Sequence, residues 1–238
     1  MIDNIQTDNA IRLPAWFRRS LPAVSTEKTQ RILKRHGITT VCQEALCPNQ
    51  SECFSRCVAT FMILGDVCTR HCSFCSVLGG APQPPVEDEP ARISQSVREL
   101  GLTYVVVTSV TRDDLEDEGA GHFARALRRI YSENPGISVE VLTPDFHNRV
   151  DCVRSVVAER PVVYNHNLEV VERLQRTVRP QAEYARSLGV LETVKKLDPS
   201  MTTKSGLMMG MGETEDEVRS AARDLRSVGC DKIGRAHV

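Results

Sequence analysis

The sequence predicts an α/β fold on a parallel sheet, either closed or partly closed as a barrel, or open and doubly wound. Three observations carry this. Short apolar runs alternate with amphipathic helical stretches five times after residue 57, and parallel strands require crossovers of that kind. Each run ends in polar residues, as strands do at the carboxyl edge where α/β sites sit. The 238 residues suffice for one substantial core with an attachment.

The attachment is residues 1–57, with a helical candidate at "STEKTQRILKRHG". Residues 58–238 carry the repeating pattern. "VATFMILG" is continuously apolar, as strands buried on both faces are. A helix is expected from Pro90, with Ile93, Val97 and Leu100 on one face and Gly101 at its end. Strand two is "TYVVVTSV". A helix over "GHFARALRRIYS" places Phe123, Leu127 and Ile130 together, "ENPG" stops it, and "ISVEVL" is strand three. "VVYNHN" and "KSGLMMG" read as strands four and five, with helices over 150–159 and 182–197. Thr214 and Glu217 form a capping box for a last helix striped by Val218, Ala222 and Leu225 and ended at Gly229. A sixth strand would begin near Asp231, where the sequence runs out, so it is expected to be missing.

Thirty basic and 31 acidic residues give a net charge of -1. Bulk charge thus offers nothing to nucleic acid or an anionic membrane, and no apolar run matches a bilayer span. The amino terminus lacks a secretory pattern, so a cytoplasmic location is expected. Nine cysteines is an odd count for a disulfide-stapled domain, and seven fall between positions 42 and 75. Clustering of that kind reads as metal or cluster ligation in a reducing compartment.

Cys68, Cys72 and Cys75 stand in a C-x3-C-x2-C spacing within "DVCTRHCSFCSV", and Cys42, Cys47 and Cys53 in "VCQEALCPNQSECF". Structural zinc usually takes four ligands from paired C-x2-C knuckles, which leaves zinc with His71 as the blander alternative. Three thiolates can hold three irons of a [4Fe–4S] cube and leave the fourth open to a ligand. Cys152 and Cys230 read as small buried hydrophobes. The glycines of "GLMMGMGE" fit neither the dinucleotide fingerprint nor the phosphate loop, which leaves a strand-end turn or a ligand approach. His166 stands out at a strand end, though a lone histidine is more often structural. The basic run of Lys28, Arg31, Lys34 and Arg35, with "RLPAWFRRSLP", is either a docking face for an acidic domain or a solvated helix face.

With Phe74 between its last two cysteines, the second triplet resembles the signature of the radical S-adenosylmethionine (SAM) superfamily. The first triplet, together with "SVTRDDLEDEGAGHF", "NHNLE", "YARSLGVL" and "TKSGLMMGMGETEDEV", is similar to the lipoyl synthase family over nearly the whole chain. That resemblance implies a partial (β/α)6 TIM-type barrel with an amino-terminal extension. It implies two [4Fe–4S] clusters, the SAM-binding one on Cys68, Cys72 and Cys75 and an auxiliary, sulfur-donating one on Cys42, Cys47 and Cys53. The implied reaction inserts two sulfurs at C6 and C8 of a protein-bound octanoyl group. The implied partners are octanoylated lipoyl carrier domains, of a 2-oxoacid dehydrogenase E2 or a glycine cleavage H protein, and an electron donor such as flavodoxin or ferredoxin. Phe74, Asp113 and Asn165 are the expected SAM contacts, with Asp114 beside them.

Departures from the family pattern are Phe54 for tryptophan and Cys57 for glycine, the latter a conceivable surrogate ligand. The family's Arg-Ser-Ser-Tyr tail, one serine of which is the fourth auxiliary ligand, is not found; "GRAHV" stands instead. The expectation at this stage is a truncated or frame-shifted product, or a remnant of cloning, impaired in sulfur insertion. Two rivals remain: a methylthiotransferase-like enzyme, whose first cysteine group would sit in a separate upstream domain, and a zinc-binding interaction module.

Overall fold

The computed structural model describes residues 23–41, 53 and 58–235. Helix α1 (Ala23–His36) precedes a two-residue strand β1 (Thr39–Thr40), which pairs antiparallel with β2 (Val58–Ile63). Beyond β2 come β5 (Tyr104–Ser109), β6 (Ser138–Leu142), β7 (Val163–Asn165), β8 (Thr203–Leu207) and β9 (Lys232–Arg235), all parallel in sequence order. Six parallel strands in this order, each joined to the next by a helical crossover, make the partial barrel. The expected absence of a sixth strand is therefore corrected: "KIGR" pairs with β8 from Lys204↔Lys232 to Leu207↔Arg235.

Around the sheet lie α2 (Glu89–Leu100), α3 (Ala120–Glu133), α4 (Val150–Val157), a short α5 (Gln175–Val178), α6 (Tyr184–Leu197) and α7 (Glu215–Ser227). Pro90 sits in the first turn of α2, and Gly101 ends that helix with a left-handed φ of 64°, its N–H reaching Arg98 and Val97 carbonyls. The capping box of Thr214 and Glu217 is present on α7. That helix buries Ala221 and Leu225 fully, while Val218 and Ala222 are half-buried.

Strand alternation divides the sheet into two faces. Outward-facing Phe61, Ile63, Val105, Val107, Val139, Val141 and Tyr164 are shielded completely. They pack under Ile93 and Val97 of α2, Phe123, Leu127 and Ile130 of α3, and Val190 and Val194 of α6. Phe123 meets Phe146 edge to face, centroids 6.1 Å apart at 89°. Phe123→Ala is expected to lower the unfolding free energy by about 3 to 5 kcal/mol, read as a reduced denaturant midpoint with an unchanged slope.

Candidate functional site

Strand β2 hands the chain to the cysteine loop through a left-handed turn, Leu64 at φ 68° and Gly65 at 92°. A leucine there is strained and has to be held. Its N–H donates to Glu89 Oε2 at 2.9 Å and its carbonyl accepts from Arg112 Nη1 at 3.1 Å. Glu89 is fixed in turn by His122 at 2.7 Å. The loop starts on a two-residue strand β3 (Val67–Cys68), which pairs with β4 (Leu78–Gly79). Bonds from the backbone N–H groups of Thr69 to the Thr111 carbonyl, of Ser73 to the Val178 carbonyl and of Gly80 to the Cys68 carbonyl tie its course down.

Arg70, inside the cysteine loop, anchors it to the rim. Its Nε and Nη2 donate to Asp113 at 2.7 and 2.8 Å, and its Nη1 and Nη2 to Asp145 at 2.8 and 2.9 Å. Both carboxylates are thus gripped in two-pronged fashion. Burial alone would raise the Asp145 carboxyl, but Arg70 overrides it and holds the group far below the usual carboxylate range. The backbone after Asp145 is left-handed at Phe146, His147 and Asn148. Asp145 accepts there from the His147 N–H at 3.2 Å.

A cavity of about 290 Å³ opens between this loop and the strand ends. Cys68, Cys72, Cys75 and Phe74 form one wall, and Met62, Thr108 and Leu142 another. Among the described residues, the one set of histidine, cysteine and carboxylate ligand atoms lying within 4.8 Å of one another is Asp113, Glu118 and His147. The Cys68 sulfur accepts the N–H groups of Arg70 at 3.4 Å and Thr111 at 3.3 Å. Burial pushes the Cys72 and Cys75 thiols up, Arg179 offsetting part of it at Cys72 and the Val77 backbone at Cys75. Bonding to a metal would deprotonate them outright. Three soft donors lining a largely apolar cavity fit an iron–sulfur group.

His166, Asn167, Glu169 and Arg179 complete the cavity. His166 Nδ1 lies 2.9 Å from the Thr143 carbonyl, which can only accept, so Nδ1 carries the proton and Nε2 keeps a lone pair. That Nε2 is buried without a partner among the described residues. Burial, with Arg179 adding to it, pushes His166 down to about 4, so the ring is neutral at physiological pH. Burial also raises the Glu169 carboxyl, against Arg179 and Asn167. Arg179 donates to the carbonyls of Asn167 at 3.3 Å and Leu168 at 3.2 Å.

Of the expected contacts, the fold brings Phe74 and the second cysteine triplet together. Asp113 and Asn165 are engaged with other side chains in this structure. The Asp113 carboxylate belongs to Arg70 and Thr69, and Asn165 turns into the barrel toward Glu140 at 3.4 Å. Asp114 is held by Arg112 at 2.8 Å. Cys53 is partly exposed, while Cys42, Cys47, Cys57 and "LPAWFRRSLP" lie outside the described residues. Cys152 is buried as expected, and Cys230 is half-buried. The Gly210 and Gly212 turn, at φ 96° and 98°, is closed by the Glu213 carboxylate accepting the Gly210 and Met211 N–H groups, which favours turn formation. On the basic face of α1, Arg35 and His36 both bind Glu99. Arg70, Glu169 and Arg179 were missed; the position of Arg70 between Cys68 and Cys72 was the signal available for it. A larger hollow of about 830 Å³ lies at the opposite, amino ends of β7 and β8, beside Val162 and Thr202, and contains no cysteine.

A model described as the radical SAM superfamily matches residues 62–225. A lipoyl synthase of Caldanaerobacter subterraneus subsp. tengcongensis is 50% identical over 223 residues, 94% of this chain and 78% of that protein. One of Caldicellulosiruptor saccharolyticus is 53% identical over 221 residues, 92% of this chain and 78% of its own length. Among solved structures, methylornithine synthase superposes with a TM-score of 0.58 at 13% identity, over 76% of this chain and 53% of that one. That likeness concerns the fold.

Two outcomes follow from the site's electrostatics. Asp145→Asn is expected to cost about 3 kcal/mol of stability by stranding part of the Arg70 charge, measured by chemical denaturation at pH 7. His166, depressed in the folded state below an unfolded value of about 6.5, contributes stability that is present above that pH and lost as pH falls toward about 4. His166→Gln should flatten the fall in denaturation midpoint across that window; an unchanged slope would show the histidine is not the group responsible.

Proposed function

The chain belongs to the lipoyl synthase family of the radical SAM superfamily, and we propose that the cavity at the carboxyl ends of β2, β5, β6 and β7 is where its reaction takes place. The reaction is insertion of sulfur at C6 and C8 of a protein-bound octanoyl group. Those carbons carry no acidic hydrogen, so a base has nothing to remove. SAM and two [4Fe–4S] clusters serve the family, and when bound they supply the one-electron chemistry that takes hydrogen from such carbons, and the sulfur.

The residues at hand support each role. Cys68, Cys72 and Cys75 would hold the cofactor-binding cluster, and their meeting with Phe74 in the lining of one cavity is the observation that carries the reading. The N–H groups of Arg70 and Thr111 point at the Cys68 sulfur and fix its orientation. Phe74 packs with Val170, Val178 and Met208 and closes one side against water. Asn167 and Glu169 offer acceptors for hydroxyl or ammonium groups, His166 offers a neutral acceptor, and Arg179 supplies positive charge beside Cys72. Neutral His166 also avoids adding a second positive charge next to Arg179.

Cys42, Cys47 and Cys53 are proposed as ligands of the auxiliary cluster, carried on an extension of residues 1–57 ahead of a barrel of 58–238. The substrate is an octanoylated carrier protein, for which an E2 lipoyl domain or a glycine cleavage H protein is proposed. The electron donor is proposed to be flavodoxin or ferredoxin. No described helix is long and apolar enough to cross a membrane; a cytoplasmic location is part of the proposal.

Anaerobic reconstitution tests it. About eight irons per chain are expected, falling to about four in Cys72→Ala and in Cys47→Ala. SAM cleavage should be lost in the first variant and retained in the second. A colourless, zinc-loaded protein would overturn the reading.

A further inference from the structure

The inward face of the sheet is unlike the outward one. Outward Val105 and Val107 are sealed, whereas inward Thr60, Val106 and Leu142 are only half-buried although strands surround them. The described residues thus leave the lumen open below the rim. Its upper wall carries no charge, with Met62, Val106 and Leu142 beside Thr60 and Thr108. Its lower end does. There the Glu140 carboxylate accepts the Tyr104 hydroxyl, Lys204 Nζ at 2.9 Å and Asn165 Nδ2 at 3.4 Å. Glu140 is two residues below Leu142 on the same face of β6, hence about 7 Å deeper. Asn165 is 6% exposed, and its Oδ1 has no partner among the described residues.

We propose that Glu140 and Lys204, with Tyr104 and Asn165, form the floor of an acyl-chain channel and determine the chain length the enzyme accepts. The inference rests on the sulfur-insertion reading. The thiols are at the rim and the carrier is outside, so an acyl chain linked to a carrier lysine enters from the rim, methyl end first. Its apolar carbons replace water against Met62, Val106 and Leu142, which is favourable. Carbons beyond the channel's depth would press on Glu140 and Lys204, removing hydration from charged groups without returning a hydrogen bond. An ion pair whose lysine side chain is 36% exposed is weak evidence of a stabilising role, whereas a charged stop beneath an uncharged shaft is a ruler. Discrimination of this kind is worth roughly 10-fold or more per misfit.

Equilibrium dialysis of lysyl peptides bearing hexanoyl, octanoyl or decanoyl groups, against the anaerobically reconstituted full chain, tests this. The wild type should favour octanoyl over decanoyl by roughly 10-fold or more. Glu140→Ala with Lys204→Ala removes both charges together, so that neither is stranded. It should bring the two lengths within about threefold of each other. Val106→Phe, which fills the shaft just above the floor, should shift preference toward hexanoyl. If both variants keep wild-type circular dichroism and iron content and the wild-type length preference, the ruler is overturned while the sulfur-insertion reading stands. Failure of every acyl peptide to bind would overturn both.

Discussion

The Arg70 guanidinium, shared between Asp113 and Asp145, is the contact on which the upper half of this molecule depends. Cysteine ligands are useful only if the chain between them is rigid enough to present three sulfurs at once, and a loop of eight residues has no core of its own. Arg70 ties that loop to the end of β5 through Asp113 and to the end of β6 through Asp145. Arg186 of α6 adds a further contact to Asp145. Desolvating one cation is offset by two gripping carboxylates. The same bonds hold Asp145 ionised and help to fix the left-handed turn that follows it.

A second arginine has a parallel job one turn earlier. Arg112 is almost fully buried, yet its donors are used on the Leu64 carbonyl and the Asp114 carboxylate. The "TRDD" stretch therefore performs two different tasks with adjacent residues: Arg112 and Asp114 set where the cysteine loop begins, and Asp113 sets where its middle lies. Charge on this side of the rim fixes geometry, while the cavity sets soft sulfur and apolar carbon opposite His166, Asn167, Glu169 and Arg179.

Much of the frame was legible because buried parallel strands and amphipathic helices write their periods directly into the sequence. "VATFMILG", the Pro90 helix and the Thr214 capping box all appear close to where those signals put them. Strand β1, with two residues, and β9, with four, are too short to show a period and owe their existence to neighbours that supply hydrogen bonds. The cysteine triplet and Phe74 were legible because ligand spacing is local. Asp113 was not, since a carboxylate after a strand looks the same whether it faces a ligand or a buried arginine 43 residues earlier. Asn165 and His166 illustrate the same limit at finer scale. The strand's pleat turns Asn165 down the lumen, and only the end of β7 lets His166 and Asn167 reach the cavity.

The central claim is that the Cys68–Cys75 loop presents a cluster with an iron site open to SAM. It is tested most directly by electron paramagnetic resonance of the reduced, reconstituted Cys47→Ala protein, in which this cluster alone should remain. Adding SAM should shift the cluster's g values, because a ligand joins the iron that no cysteine occupies. A spectrum unchanged by saturating SAM would contradict the claim.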